Sequence, residues 1–323
     1  MDRIIKNKKH QLLLAFFAAI FLFGSAGFLF YAKFKAQAAT ESVSIIRQDC
    51  AGYSSCYTSL SAWEAAQQKD LVASNEIATA RIEGNWTNPD TTSVTIDGWT
   101  TGPSNYINIY TATDARHDGK WNTGKYRLEI SAASDYVRGI LIRENFVRID
   151  GLQIHHINND WNYGEGIFAD SNTYITAGAN IYISNNIIRS TGTTSLNDTS
   201  NGIKTSATNG TYYIWNNIIY DFNLTGTQKS YGLLAYGTNY IYNNTIINSA
   251  YCIRGVNGTF FAKNNIVQNC STDGFLGTFD VSSNYNVSSL ASDAPGANSK
   301  NSTTVSFADS ANKDFHLSSS DTS

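Results

Sequence analysis

The stretch Ile183-Ser184-Asn185-Asn186-Ile187-Ile188 returns as Ile214-Trp215-Asn216-Asn217-Ile218-Ile219, then as Ile241-Tyr242-Asn243-Asn244-Thr245-Ile246, and again as Ala262-Lys263-Asn264-Asn265-Ile266-Val267. A weaker copy, Ile149-Asp150-Gly151-Leu152-Gln153-Ile154, precedes them. Counted on the second Asn, the steps are 31 (186 to 217), 27 (217 to 244) and 21 (244 to 265) residues. A repeat of this length marks a solenoid in which each unit is one coil. Between the Asn pairs lies a second unit: Gly166-Ile167-Phe168-Ala169, Gly202-Ile203-Lys204-Thr205, Gly232-Leu233-Leu234-Ala235, Cys252-Ile253-Arg254-Gly255 and Gly274-Phe275-Leu276-Gly277. Each coil therefore holds at least two strands.

Ile and Tyr favour half-buried pleated surfaces. Alternation along Tyr182-Ile183-Ser184 and Tyr213-Ile214-Trp215 puts Ile on one face and a polar or aromatic residue on the other. A lone strand of this kind leaves its apolar face in water. Stacking coils about 4.8 Å apart turns each aliphatic into part of a continuous internal column. The Asn pair falls where the chain turns, because Asn tolerates left-handed backbone and its amides can bond along the stack. Gly ahead of the aliphatic is expected to supply a second sharp bend.

The Ile-x-Asn-Asn-x-Ile and Gly-Ile-x-small units resemble the right-handed parallel β-helix of the pectin-lyase-like superfamily, over residues 93–287. The resemblance implies an all-β solenoid; because the repeat is structural, it implies no particular activity. Members of the polygalacturonase type carry Asp-Asp and Gly-His-Gly motifs, and neither occurs here. The calcium-binding Asp cluster with a nearby Arg base of the pectate lyases is not recognisable either.

Residues 1–39 read as an export segment. Arg3, Lys6, Lys8 and Lys9 precede an apolar run from Leu12 to Ala32. Ala36-Gln37-Ala38 fits a signal-peptidase site, while the run is close to the ~20 residues that span a bilayer. Cleaved signal peptide and uncleaved anchor both stay open, and either exports the remainder to a secreted or cell-surface location. Residues 40–92 are expected to hold a capping helix over 59–73, started by the capping box Ser61-Ala62-Trp63-Glu64. Such a helix would cover the first coil of a helix that runs over 93–287. Residues 288–323 are rich in Ser, Asn, Ala and Thr, a mobile composition. Within them Lys313-Asp314-Phe315-His316-Leu317 resembles a closing segment after such solenoids, which implies a further strand and a longer parent protein.

A net charge of −3 and a pI of about 5.9 leave no basic footprint, so nucleic acid is not an expected partner. Cys50 and Cys56 can close a small loop, and Cys252 and Cys270 fall on adjacent turns, as bridges or as buried thiols. No Cys/His spacing forms a metal site, and no cofactor is expected.

The segments 155–165, 189–201 and 220–231 are long, and stacked coils would set them side by side as a wall. Beside it runs the outward column Phe168, Lys204, Leu234, Arg254, Leu276. A wall along an open strip makes a groove suited to an extended polysaccharide. The candidate contacts are His156, Asp160, Trp161, Tyr163 and Arg254. Cleavage would need either two carboxyls about 5–9.5 Å apart or a base and a cation. Glu165, Asp170, Asp198 and Lys204 are the catalytic candidates, with a carboxylate-bound Ca²⁺ as an alternative cation. The competing expectation is a non-catalytic surface adhesin or structural spacer. His155 and His156, adjacent on a strand, would point to opposite faces rather than share a metal.

Overall fold

The computed structural model describes residues 38–131, 136–159, 163–193, 199–223 and 230–323. The chain divides into Met1–Ala38 and Ala39–Ser323, and only the second unit is described below. The expected export segment lies outside the described residues; among those described, no helix is long and apolar enough to cross a membrane.

The second unit is all-β, with coils of parallel strands stacked on one another. From Val94 on, the coils run through three sheets, within the expectation of at least two strands each. Sheet 1 contains Val94–Ile96, Tyr136–Ile142, Tyr163–Ala169 and Ser200–Thr205, then the first halves of Tyr231–Tyr242 and Tyr251–Lys263, then Asp273–Leu276. Sheet 2 contains Thr40–Ile46, Glu76–Ile82, Ile107–Thr111, Val147–Asp150, Asn180–Ser184 and Thr211–Trp215, then the second halves of the two long strands. Sheet 3 runs from Leu128–Ser131 through Gln153–Asn159, Ile187–Thr193, Ile218–Tyr220, Thr245–Ile247 and Ile266–Gln268 to Val287–Ser288. From Ala169 on, the connection between sheets 1 and 2 shortens, to Asn180 in one coil and from Thr205 to Thr211 in the next, until one strand crosses it unbroken. This is one reason why the repeat steps fall from 31 to 21 residues.

Each sheet sends one aliphatic column inward. In sheet 1 it is Ile140, Ile167, Ile203, Leu233, Ile253 and Phe275; in sheet 2, Ile149, Ile183, Ile214, Ile241 and Ala262; in sheet 3, Ile154, Ile188, Ile219, Ile246 and Val267. All are buried. A fully buried Ile or Leu contributes about 1.5–3 kcal/mol, so these columns drive the stacking.

The Asn pair divides its labour. The first Asn of each pair takes the left-handed turn: Asn185, Asn216, Asn243 and Asn264 have φ of 55°, 56°, 54° and 56°. The second is buried and bonds along the stack. Asn186 donates from Nδ2 to Asn217 Oδ1 at 3.0 Å, Asn217 to Asn244 at 3.0 Å, Asn244 to Asn265 at 3.1 Å, and Asn265 to Asn286 at 2.9 Å. The backbone N–H of Asn186, Asn217, Asn244 and Asn265 donates to the same oxygens. Asn286 is a fifth rung, with Tyr285 (φ 58°) in the turn position.

Glycine before the sheet 1 aliphatic serves packing rather than a left-handed turn. A Cβ on Gly202 would lie 2.5 Å from the carbonyl oxygen of Gly232 and 2.5 Å from Ile219 Cγ2; Gly166 and Gly139 are equally confined. Cys252 takes this position in a later coil and is bonded to Cys270, and Cys50 is bonded to Cys56.

Both ends differ from the expectation. The helix runs from Leu60 to Gln67, with Ser59 as its N-cap accepting from the N–H of Ala62, so the capping box does not start it. A second short helix, Leu71–Ser74, follows under its own cap, Asp70. Strands of sheet 2 already run through residues 40–82, before the visible repeat begins. At the other end, Phe307–Asp309 and Asp314–Leu317 form an antiparallel hairpin. Its Phe315 packs on Tyr220, Ile187 and Ile247 on the outer face of sheet 3, joined by Trp121. Lys313 reaches Asp221 at 2.8 Å and Lys120 reaches Asp314 at 3.6 Å.

Candidate functional site

With sheet 3 covered by this hairpin, the outer face of sheet 1 is the place to look for the expected strip. Register places Leu141, Phe168, Lys204, Leu234, Arg254 and Leu276 in one row. A second row beside it reads Arg138, Glu165, Asn201, Tyr231, Tyr251, Asp273. The two rows interlock. Glu165 Oε2 accepts from Arg138 Nε at 3.1 Å, and Lys204 Nζ donates to Glu165 Oε1 at 3.3 Å. The Glu165 side chain is only 2% exposed. Arg138 and Lys204 also lie over the ring of Phe168, at 4.7 and 4.8 Å from its centroid. Each such contact adds about 0.5–1 kcal/mol where solvent is near.

Further along the face, Arg254 Nη1 donates to the Tyr231 hydroxyl at 2.6 Å, and Tyr231 stacks on Tyr251 at 5.1 Å. Burial raises the Tyr231 hydroxyl pKa, which the charge of Arg254 opposes. Asn201 is buried, and among the described residues its Oδ1 has no hydrogen-bond partner.

The other candidates are spread more widely. Asp170 ends the sheet 1 strand, where Arg143 donates to it at 2.9 Å. It is five residues from Glu165, about 16 Å at most along a strand, and each carboxylate is held by its own arginine. Lys204 and Arg254 are two rungs apart with Leu234 between them, about 10 Å. His156 faces the interior, 1% exposed, with burial pulling its pKa down to about 4. A ligand on the outer face does not reach it. His155 points outward, bonded to Thr191 Oγ1 at 2.7 Å beneath Trp121; burial foremost, with the charge of Arg189, pulls it down to about 3. Tyr163 opens a sheet 1 strand in register with Tyr136. Asp160, Trp161 and Asp198 lie outside the described residues. Among the described residues no group of three or more His, Cys, Asp or Glu side chains gathers as a metal site.

Arg138, Tyr231 and Tyr251 are additions to the expected site. A signal for Arg138 was present, since Gly139-Ile140-Leu141-Ile142 is one more copy of the Gly-aliphatic unit.

Sheet 2 carries a different surface. Tyr182, Tyr213, Tyr240 and Phe261 stack ring on ring at 4.7, 4.9 and 4.7 Å, nearly parallel. Their faces cover one another, so this ladder presents ring edges outward. At its end Arg148 lies over Tyr182 on one side and Tyr106 on the other, 5.2 and 3.8 Å from the centroids.

No protein-family model, curated protein or solved structure matches this chain.

Proposed function

We propose that the chain is an exported right-handed parallel β-helix of the pectin-lyase-like kind that binds an extracellular polysaccharide along the outer face of sheet 1. In this reading the helix Leu60–Gln67 caps the first coil, and residues 1–39 direct export. The three-strand coil and the buried Asn ladder support the fold assignment. The two disulfides support an oxidising compartment.

The observation that carries the binding reading is the interlocked double row on sheet 1. Phe168, Lys204, Leu234 and Arg254 alternate an apolar side chain with a charge along the stacking direction, with Tyr231 and Tyr251 in the row beside them. Phe168 and Tyr231 are buried and hold the cations in place, while the half-buried ring of Tyr251 offers apolar contact to a sugar and the cations offer hydrogen bonds. Turnover is less favoured than binding. Glu165 is occupied by two cations and Asp170 by Arg143, so neither is poised as a free acid or base.

The test is a glycan panel with two readouts on the same protein. Binding to at least one polysaccharide, weakened about tenfold or more by Lys204→Ala or Arg254→Ala, without new reducing ends or unsaturated products, is the expected result. Product formation would move the assignment to an enzyme. Failure to bind any member of the panel would leave the structural-spacer reading and refute ours.

A further inference from the structure

We infer that Arg148, on the outer face of sheet 2, is the anchor of a second binding site, one that takes a carboxylate. This site lies on a different sheet from the proposed polysaccharide strip and does not depend on it.

The inference starts from an unspent charge. Arg148 is half-buried in a pocket lined by Pro103, Tyr106, Phe146, Asn180 and Tyr182. Its guanidinium is clamped between the rings of Tyr106 and Tyr182, which belong to the neighbouring rungs on either side. Its two flat faces are thus occupied. Its N–H edges are not: among the described residues Arg148 has neither a hydrogen bond nor an ion pair. The nearest acid on its own strand, Asp150, is engaged by Arg116 at 2.6 Å and by Ser184 at 2.7 Å. Other arginines on these outer faces are bonded, Arg138 to Glu165, Arg143 to Asp170 and Arg254 to Tyr231.

A guanidinium held flat by two rings has lost most of its rotational freedom in advance. Its remaining edge presents paired N–H groups, whose geometry matches the two oxygens of a carboxylate. The walls select further. Pro103 and Phe146 favour a carbon frame attached to the carboxylate, and the Asn180 amide can bond a neighbouring hydroxyl or carbonyl. The other nearby cation, Arg116, is held by Asp150, so a doubly charged phosphate would find only one compensating charge. The ligand class is therefore a monocarboxylate on a carbon frame, either free or carried on a chain.

The experiment is calorimetric titration of the full chain with benzoate, acetate and short alginate oligomers, with neutral maltohexaose as control. Wild-type protein is expected to bind at least one carboxylate and not maltohexaose. Arg148→Met should weaken that binding at least tenfold, and Arg148→Lys, which keeps the charge but loses the paired edge, several-fold. Benzoate binding tighter than alginate identifies a free acid as the source, and the reverse a polymer-borne one; both support the site. No saturable binding of any carboxylate overturns the inference. So does binding in Arg148→Lys within twofold of wild type, which decides the matter should the Met variant not fold.

Discussion

Replacing Asn217 by Ala removes one rung from the middle of the amide ladder, and the structure gives the cost. The Asn217 Oδ1 accepts from the backbone N–H and the Nδ2 of Asn186, both at 3.0 Å. Its Nδ2 donates to the carbonyls of Ile183 at 2.9 Å and Trp215 at 3.1 Å, and to Asn244 Oδ1 at 3.0 Å. Some of these groups keep a second partner. Asn244 Oδ1 still accepts from the Asn217 backbone, and Asn186 Nδ2 still reaches the Ile149 carbonyl. The Asn186 N–H loses its ladder acceptor, and the buried lone pair of Ile183 loses its ladder donor. A buried group left unsatisfied costs about 1–3 kcal/mol. Two of them put the expected loss near 4 kcal/mol, a large share of a typical folding stability of about 5–15 kcal/mol. The partner position is the internal control. Asn216 sits at φ 56° and supplies a turn. Asn216→Gly should therefore change stability by only a few tenths of a kcal/mol, and Asn216→Ala should cost about 1 kcal/mol. Urea denaturation of the three variants measures all of this. Equal losses at 216 and 217, or a loss below about 1 kcal/mol for Asn217→Ala, would refute the division of labour within the pair.

Gly202→Ala should destabilise by about 2 kcal/mol or more, because its Cβ meets a carbonyl oxygen and Ile219 at 2.5 Å; exposed Gly124→Ala, with 3.3 Å to its nearest neighbour, should stay within about 0.5 kcal/mol in the same assay. Removing the Cys252–Cys270 bridge by a double Ser substitution should cost about 3 kcal/mol, as expected for a closed loop of this length, read by thermal midpoint under matched conditions. Burial, with the charges of Asp97 and Glu64 against it, raises the Glu144 carboxyl from its usual 4.5 to about 7. A raised pKa means that the folded state holds the proton more tightly, so this contribution is full below pH 4.5 and lost as pH rises through 7. The lost amount is on the order of 3 kcal/mol. Buried neutral His117, His155 and His156 titrate with the opposite sign, losing stability as pH falls below 6.5. Glu144→Gln isolates the carboxyl: its stability gain over wild type should be larger at pH 8 than at pH 5, and an equal gain at both would count against the assignment.

What could be read beforehand was whatever the coil repeats. The inward Ile columns and the Asn turn recur at the same place in each unit, so periodicity exposes them. The third strand was hidden by its closeness to the turn: Ile187 follows Asn186 directly, and one left-handed residue is enough to pass from sheet 2 to sheet 3. The rung at Asn286 was hidden because Tyr285 occupies the position where the other rungs have an Asn. The strands over residues 40–82 carry no Asn pair at all, and two helices separate them. Within the candidate site, Lys204 and Arg254 were visible because they follow the Gly-aliphatic unit. Arg138 and Tyr231 instead belong to the row just before the glycine, Arg138, Glu165, Asn201, Tyr231, Tyr251 and Asp273, where no residue type runs through the coils. Arg148 stands in an unremarkable Val-Arg-Ile alternation, and only the stacking of Tyr106 and Tyr182 around it gives it meaning.

The inside and the outside of this coil obey different rules. Inward positions must repeat, since each aliphatic rests on the one beneath it and a change in one rung leaves a gap in the next. Outward positions have no such partner by necessity, and the three sheets have used that freedom in three ways. Sheet 3 receives a hairpin and Trp121 and so becomes interior. Sheet 2 turns its aromatics on each other, which satisfies ring faces internally and leaves Arg148, unpaired among the described residues, at the end of the row. Sheet 1 interleaves apolar side chains with charges and neutralises part of them, with Glu165 placed between two cations while Arg254, among the described residues, is bonded to the Tyr231 hydroxyl alone. Selection for recognition can therefore act on sheets 1 and 2 at little cost to the fold. The ligand specificity we propose therefore rests on those two outer faces, rather than on the repeat that makes the chain recognisable as a solenoid.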